Sequence, residues 1–505
     1  MNLVLRRVVL FYAFLIAVAV PAHVQNKPSA EQKAANYFES VRTQPLLLAA
    51  FLQQMPKGAD LHNHLSGAVY AESYIEWAAQ DGLCIDRKAL AFVPPPCDSD
   101  TKTSATDALK DAQLYYNLVY SLSMRSIGKT DESGHDHFFA SFSKFGVATR
   151  GRQADMLAEV VSRAADQNEL YLELMGTQGN AAALGKDMPW DDNLEAMREK
   201  VLAKGIKELN AAIIASTNDA EQKMRQLLKC GTANEQPGCA VTIRYIAQGT
   251  RNYPKSQLFA QLVAAFELAK ADSRFVGITL VSPEDNYVSM HDFHDQMHMF
   301  AFLRAKYPKV HVSLHAGELS PQLVTPEGLR NHVRESVEIA WADRIGHGVD
   351  VMYEQEPIQL LKQMAGRNVL VEICLTSNDG ILNVRGNEHP LPLYLRYGVP
   401  VALATDDEGV SRSTLTREYQ RATETYGLKY ADIKKMARMS LEHGFLPGES
   451  IWANAQSATI IRECATDERG AERPSAACAA YLDKSEKAEM QWKLERQFVT
   501  FESRF

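Results

Sequence analysis

The chain has 505 residues, of which 46% are hydrophobic and 23% charged, and its formal net charge at pH 7 is -8. These fractions are ordinary for a soluble globular protein. The negative charge, and the lack of any Lys/Arg cluster of the kind that neutralises phosphates, argue against nucleic acid as a partner. A chain of this length could form two or three domains, although α/β barrels often reach it as one domain.

The N-terminus has the pattern of a secretory signal peptide. Arg6 and Arg7 form a basic start, an apolar run follows from Val8 to Val20, and the small residue Ala22 suits cleavage. The run is shorter than the ~20 residues of a spanning helix, although an uncleaved membrane anchor is the alternative. We therefore predict that residues 1–22 are a signal peptide. The protein would then be exported, to the periplasm or the medium, without a membrane partner after cleavage.

The seven cysteines form three couples of near neighbours and one residue left over. In an exported protein near neighbours are reasonable disulfide partners, although sequence does not determine connectivity. The predicted pairs are Cys84–Cys97, Cys230–Cys239 and Cys464–Cys478. Cys374 lies in an apolar run and is predicted to be a buried thiol. The alternative is that all seven are reduced and buried.

Eight short apolar runs rich in β-branched residues recur along the chain, and a helical stretch follows each. Apolar strands that alternate with helices indicate a parallel sheet covered on both faces. Eight of them predict an α/β fold of the (β/α)8 TIM-barrel type. The predicted strands are Ala59–His64, Leu170–Met175, Ala240–Ile246, Phe275–Val281, Val310–His315, Arg344–His347, Asn368–Ile373 and Pro400–Thr405.

The remaining segments are assigned around this barrel, which is predicted to span 56–450. Residues 23–55 are predicted to be an N-terminal helical arm, and 451–505 a C-terminal helical extension. The long gap after the first strand, about 65–169, is interpreted as a helical insertion over the mouth of the barrel. The charged run Ser485–Gln497 is interpreted as a solvent-exposed helix face.

Three histidines at predicted strand ends are candidate metal ligands. His62 and His64 alternate by two, so both point to one face of the first strand. At its C-terminal end they would project into the mouth, where barrel active sites lie. His315 ends the fifth strand and adds a third imidazole, which suits zinc. Alone, a His-x-His pair often arises by chance.

Three acids and a fourth histidine complete the candidate site. Glu318 follows shortly after His315, and a metal that activates water needs a proton carrier nearby. His347 lies between two glycines, which allow close approach of the backbone. Asp406 and Asp407 cannot both point into the barrel, so one could bind metal and the other substrate. Taken singly, these residues could be an exposed turn, a core histidine and a helix N-terminus.

These motifs resemble the adenosine/AMP deaminase family of the metal-dependent amidohydrolase superfamily, and the resemblance covers about 56–419. They are Leu61-His62-x-His64-Leu65-x-Gly67, His315-Ala-Gly-Glu318, Gly346-His347-Gly348 and Thr405-Asp406-Asp407, in that order. Export, the opening Met55-Pro-Lys-Gly58, the predicted disulfides and the enlarged region after the first strand are similar to the secreted adenosine deaminase-like growth-factor branch.

The resemblance implies a role for each position. The implied ligands of one Zn²⁺ are His62, His64, His315 and Asp406. His347 would orient an activated water, Glu318 would protonate purine N1, and Asp407 would hydrogen-bond N7. The implied reaction is hydrolytic deamination of adenosine or 2′-deoxyadenosine, a small-molecule nucleoside, to the 6-oxo product and ammonia. Secreted relatives are often dimers built through N-terminal helices, so a homodimer is a further expectation.

Two departures from the family pattern bear on the substrate-binding positions, which are implied to be His64, Ser66, Ser282 and Asp407. Ser66 stands where cytosolic members carry an acid that contacts ribose. Ser282 stands where a glycine usually places its backbone near purine N3. These positions leave ribose recognition open.

Three alternatives stay open. A deaminase of adenine, AMP or a modified adenosine is one, although no cationic phosphate site is evident. An amidohydrolase that acts on a different ring is another. Two-metal members usually add a bridging lysine, and no lysine ends the fourth predicted strand, which favours one metal. The third is a secreted binding protein that lost turnover, in which a ligand or Glu318 should be replaced.

Overall fold

The computed structural model describes residues 27–126, 132–177 and 179–505. The predicted signal peptide, 1–22, lies outside the described residues. Within those three ranges, no helix has both the length and the hydropathy that crossing a membrane requires.

Eight parallel strands form the centre of the fold and follow one another around the sheet in chain order. This arrangement confirms the predicted (β/α)8 barrel. The strands are β1 (Gly58–His64), β2 (Glu169–Gly176), β3 (Thr242–Thr250), β4 (Phe275–Val281), β5 (His311–Ala316), β6 (Arg344–His347), β7 (Leu370–Ile373) and β8 (Val401–Leu403).

The barrel closes through backbone hydrogen bonds between the end of β1 and Asp406, in the segment after β8. The amide of Asp406 donates to the carbonyl of His62 at 2.8 Å, and the amide of His64 donates to the carbonyl of Asp406 at 3.1 Å. Asn63 and Asp406 form a parallel bridge. The two segments that carry predicted metal ligands are therefore the two segments that close the barrel.

Helices cover the outside of the barrel. Those from β2 to β7 are Ala182–Gly185, Leu194–Leu202, Ile206–Leu227, Lys255–Ala271, Tyr287–Lys306, His332–Glu338 and Pro357–Gly366. Those after β7 are Leu375–Leu382, Leu391–Tyr397, Glu408–Ser411, Leu415–Tyr426, Tyr430–His443, Ala476–Leu482 and Glu486–Glu502. A short antiparallel pair, Trp452–Asn454 and Thr459–Ile460, precedes the last two.

The insertion after β1 contains a small sheet as well as helices. Its helices are Leu65–Ala68, Ala71–Gln80, Ala105–Ala108, Ala112–Ser121, Gly134–Phe145 and Gln153–Asp166. The antiparallel strands are Cys84–Asp86, Ala91–Val93 and Lys102–Ser104. The sequence predicts only helices here, because strands of three residues are too short to show an alternating pattern.

The predicted disulfides are present in the structure. The bonded pairs are Cys84–Cys97, Cys230–Cys239 and Cys464–Cys478. Cys374 is a free, buried thiol, as expected from its apolar run.

The first and last helices of the described residues pack together against the barrel. Helices Ala30–Val41 and Pro45–Gln54 meet the last helix, where the ring of Phe51 lies 5.0 Å from that of Phe501. Side chains of the N-terminal helices, the barrel and the last helix share one hydrophobic core. The predicted boundaries at 23–55, 56–450 and 451–505 stay predictions, and so does the homodimer.

The charged run Ser485–Gln497 is exposed at Glu489, Lys493 and Arg496, as expected for a solvent-exposed helix face, but not at Glu495. Trp492 and Glu495 are buried. Nε and Nη2 of Arg438 each donate to the carboxylate of Glu495 at 2.7 Å. A run of charges does not show which of its members has an oppositely charged partner on a neighbouring helix.

Replacing Glu495 with alanine should destabilise the fold, because it leaves the largely buried guanidinium of Arg438 unpaired. We expect a loss of about 3 kcal/mol in the free energy of unfolding. Glu489→Ala, at an exposed position of the same helix, should cost less than about 0.5 kcal/mol. Chemical denaturation with the disulfides intact measures both. Equal losses in the two variants would contradict the role of the ion pair.

Candidate active site

Three imidazoles and one carboxylate converge where the barrel strands end. His62 and His64 lie on β1, His315 on β5, and Asp406 follows β8; one candidate ligand atom of each lies within 4.8 Å of all the others. Nε2 of His64 is 3.1 Å from Nε2 of His315. Oδ1 of Asp406 is 3.3 Å from Nε2 of His64 and 3.6 Å from Nε2 of His62. The structure thus brings together all four predicted metal ligands.

This donor set fits a divalent cation. Nε2 of His62 is buried and has no hydrogen-bond partner among the described residues, which is costly unless a cation lies against it. Burial disfavours charge on this ring, but the carboxylates of Asp406 and Glu372 outweigh burial and raise the pKa of His62 to about 10. The cluster therefore stabilises a positive charge at its centre. Three imidazoles and a carboxylate are typical zinc ligands.

Two of the histidines are oriented by oxygen atoms behind them. Nδ1 of His62 lies 2.8 Å from Oε2 of Glu372 on β7. Nδ1 of His315 lies 2.9 Å from the hydroxyl of Thr279 on β4. With Nδ1 donating to oxygen, Nε2 of each ring faces the centre of the cluster, where a cation could take the place of a proton. Such partners are usual for metal-binding histidines and determine their tautomer.

Hydrogen bonds from polar side chains hold the other two members, His64 and Asp406. The nitrogen of the Gln248 carboxamide, on β3, donates to Nδ1 of His64 at 2.9 Å. The hydroxyl of Ser377 donates to Oδ2 of Asp406 at 2.6 Å. Burial lowers the pKa of His64 to about 4, so the ring is neutral. Every candidate ligand is thus held at a position set by another barrel segment.

Glu318 lies beside the cluster, and backbone hydrogen bonds to Glu284 hold its segment in place. The amides of Gly317 and Glu318 donate to the carboxylate of Glu284, at 3.1 and 2.8 Å. Burial, together with the negative charges of Asp406 and Glu284, raises the pKa of Glu318 to about 8. Its carboxyl group is therefore protonated near neutral pH and can donate a proton into the cavity.

A directed chain of hydrogen bonds determines the tautomer of His347. The amide of Leu391 can only donate, and it lies 3.2 Å from Nδ1 of His389. Nε2 of His389 must therefore carry the proton that it donates to Oδ1 of Asn378, at 3.1 Å. The nitrogen of the Asn378 carboxamide then donates to Nδ1 of His347 at 3.0 Å.

The proton of His347 consequently lies on Nε2. Burial lowers the pKa of His347 to about 3, so the ring is neutral. Its Nε2 is buried, is 3.6 Å from Oε1 of Glu318 and has no hydrogen-bond partner in the described part of the chain. His347 therefore offers one N–H donor to whatever occupies the space beside Glu318.

Asp407 lies beside Asp406 and borders the same cavity. A Cβ at Gly67 would lie 1.5 Å from Oδ1 of Asp407, so only glycine fits there. That Oδ1 is buried and unpaired among the described atoms. Burial and the adjacent Asp406 raise the pKa of Asp407 well above its usual range. Asp407 is therefore suited to donate a hydrogen bond to a ligand nitrogen.

A cavity of about 460 Å³ opens beside these groups, within the usual range for small-molecule sites. Its polar wall consists of His64, His315, Glu318, His347, Asp406 and Asp407. Its apolar wall includes Phe138, Phe139 and Phe142 of helix Gly134–Phe145. One helix of the insertion therefore lies over the mouth of the barrel, as predicted for this segment. Of the described side chains that line the cavity, none is lysine or arginine.

Both serines that depart from the family pattern line this cavity. Ser282 has φ 87°, a conformation that glycine adopts freely and other residues rarely adopt. His347 and Asp406 have φ 70° and 61°. Strained backbone of this kind tends to occur at functional sites. The carbonyl of Ser66 accepts a hydrogen bond from the hydroxyl of Tyr74 at 2.7 Å.

Sequence reasoning missed the residues that hold the ligands in place. Gln248 was missed because the third predicted strand ends at Ile246, whereas β3 continues to Thr250. Asn378 and His389 lie outside any recognised motif. Glu372 did offer a signal, since it is a lone acid inside an apolar run of a buried strand, and buried acids are rarely unpaired.

Comparisons with known proteins agree with the motifs. A family model described as adenosine deaminase matches residues 207–454, a segment that contains β3 to β8. The adenosine deaminase of Clostridium kluyveri is 30% identical over 186 residues, 37% of this chain and 50% of that protein. That of Escherichia coli (strain SMS-3-5 / SECEC) is 33% identical over 149 residues, 29% of this chain and 41% of that protein. The chain thus spans half or less of the length of these relatives.

Solved structures share the fold. The apo N6-methyl-AMP deaminase of Arabidopsis thaliana has a TM-score of 0.50 at 18% identity, covering 79% of this chain and 94% of that one. Arabidopsis ADAL in complex with GMP has a TM-score of 0.51, also at 18% identity and the same coverage. At this level of identity the likeness concerns the fold alone.

Thr279→Val should weaken metal binding, because it removes the hydroxyl that orients His315. We expect a loss of about 10- to 100-fold in affinity. Thr279→Ser, which keeps the hydroxyl, should bind nearly as the unaltered protein does. Competition for Zn²⁺ with a chromogenic chelator measures both variants. Equal affinities for valine and serine would show that the hydroxyl does not support the ligand.

Proposed function

Since this chain belongs to the adenosine/AMP deaminase family of the amidohydrolase superfamily, we propose that it is a zinc-dependent hydrolytic deaminase of adenosine and 2′-deoxyadenosine. Water would add at C6 of the purine, and ammonia would leave to give the 6-oxo product. One observation carries the proposal. Three of the four candidate metal ligands, a protonated Glu318 and the N–H of His347 border the same cavity.

The chemistry divides among the residues of the cavity. A zinc ion held by His62, His64, His315 and Asp406 would supply an activated water near neutral pH. Glu318 would give its proton to N1, which makes C6 electrophilic, and would then help to move protons to the leaving ammonia. The Nε2–H of His347 would hold the attacking oxygen in position. Asp407 would donate to N7 and so orient the base.

Support for a nucleoside, rather than a nucleotide, comes from the charge of the cavity. The second candidate function is deamination of a nucleoside monophosphate, since one structural neighbour is named an N6-methyl-AMP deaminase. Phosphate recognition usually employs arginine or lysine. Neither occurs among the described side chains that line the cavity. We therefore rank adenosine above AMP.

We also propose that the enzyme acts outside the cytoplasm. The disulfides support this proposal, because such bonds persist in oxidising compartments. N-terminal sequencing of the protein recovered from the medium or periplasm of its producing cells tests it. A mature N-terminus near residue 23 is the expected result, and recovery of the whole chain in the cytoplasm would contradict it.

Glu318→Gln should abolish deamination while metal stays bound, because glutamine cannot deliver a proton. We expect a fall of about 10²- to 10⁴-fold in kcat. The assay follows absorbance near the purine maximum with adenosine, 2′-deoxyadenosine, adenine and AMP, and metal content is measured on the same samples. Turnover of AMP above adenosine would favour the second candidate function. No turnover of any substrate by zinc-loaded protein would refute the proposed activity.

Asn378→Asp should lower activity, because it moves the proton of His347 from Nε2 to Nδ1. An ionised aspartate only accepts, so Nδ1 of His347 would carry the proton and Nε2 would lose it. We expect a fall of about 10²- to 10³-fold in kcat, as for loss of one donor to a reacting oxygen. Asn383→Asp, an exposed asparagine just after the same helix, is the matched control. Full activity of Asn378→Asp at normal zinc content would rule out this role.

A further inference from the structure

Two exposed histidines outside the cavity approach each other as closely as two of the candidate ligands do. His294 and His298 lie four residues apart on helix Tyr287–Lys306, a spacing that places them on one face. Their Nε2 atoms are 3.1 Å apart. The same separation joins Nε2 of His64 and Nε2 of His315 in the active-site cluster.

A neighbouring helix determines the tautomer of His294. Oε2 of Glu335, on helix His332–Glu338, lies 3.1 Å from Nδ1 of His294. Oε1 of the same carboxylate accepts from Nδ2 of Asn331 at 2.7 Å. Because an ionised carboxylate only accepts hydrogen bonds, Nδ1 of His294 carries the proton. Its Nε2 therefore presents a lone pair towards His298.

We propose that His294 and His298 bind a second divalent transition-metal ion through their Nε2 atoms. Imidazole is a ligand that Zn²⁺, Cu²⁺ and Ni²⁺ all accept. Glu335 orients His294 from behind, as Glu372 does for His62 in the active site. The ion would replace the single proton that Nε2 of His298 now shares with Nε2 of His294.

This second site is weaker and more exchangeable than the active site. Both side chains are exposed, that of His294 by 60%. Among the described residues, no third histidine, cysteine or acid lies close enough to these two to complete a ligand set. Water fills the remaining positions. A chelator should therefore remove this ion before it removes the active-site metal.

Counting bound zinc tests the site independently of turnover. Untagged full-length protein is equilibrated with Zn²⁺ and its bound metal is measured by mass spectrometry. We expect two ions per chain in the unaltered protein and one in the double variant His294→Gln/His298→Gln. His291→Gln, an exposed histidine on the same helix, is the matched control and should keep two ions.

A Glu335 variant and the activity of the double variant test the second site further. Glu335→Gln should lower the affinity for the second ion by about 10-fold or more, because the ring of His294 loses the carboxylate that orients it. Deamination by the double variant should equal that of the unaltered protein, since neither histidine lines the cavity. Equal zinc content in the unaltered protein and the double variant would overturn the proposal. Loss of the same ion in His291→Gln would also overturn it.

Discussion

Glu372 is a carboxylate buried at the centre of the barrel, and both the barrel interior and the metal cluster depend on its partners. Nε of Arg344 lies 2.6 Å from it, the hydroxyl of Ser313 donates to it at 2.7 Å, and Nδ1 of His62 lies 2.8 Å away. Burial disfavours its charge, but Arg344 and His62 lower the pKa of Glu372 to about 2. A buried charge without partners costs several kcal/mol, so the fold has to keep Arg344, Ser313 and His62 around Glu372 at the same time.

The same constraint extends across the barrel and makes the site rigid. Nη2 of Arg344 donates to Glu173 of β2 at 2.5 Å, so charges on β2, β6 and β7 reach His62 on β1 through direct contacts. Asp406 is a candidate metal ligand and also closes the barrel by its backbone. Groups held in this way do not have to reorganise during a reaction, which is the main source of electrostatic catalysis.

The cavity contains acids whose pKa the environment raises and a histidine whose pKa it lowers. Burial and nearby carboxylates raise the pKa of Glu318 to about 8, while burial lowers the pKa of His347 to about 3. Both groups therefore carry a proton and no charge near neutral pH. Together with Asp407 they form a set of neutral donors around a site that would hold one cation. Separating protonation states by environment is how acid–base sites work at one pH.

The sequence by itself determined the barrel, its eight strands and the residues that converge on the metal position. Metal coordination and proton transfer require particular side chains, and those stand out as histidines and acids at the ends of apolar runs. Only the tertiary structure decided what holds them. Gln248, Thr279 and Asn378 are ordinary polar residues until the fold places each within 3.0 Å of a histidine. The burial of Glu495 beside Arg438 likewise depends on packing between distant helices. Hydrogen bonds and desolvation act over a few ångströms, and the chain distances they join here range from about thirty to nearly two hundred residues. No local pattern can record such contacts.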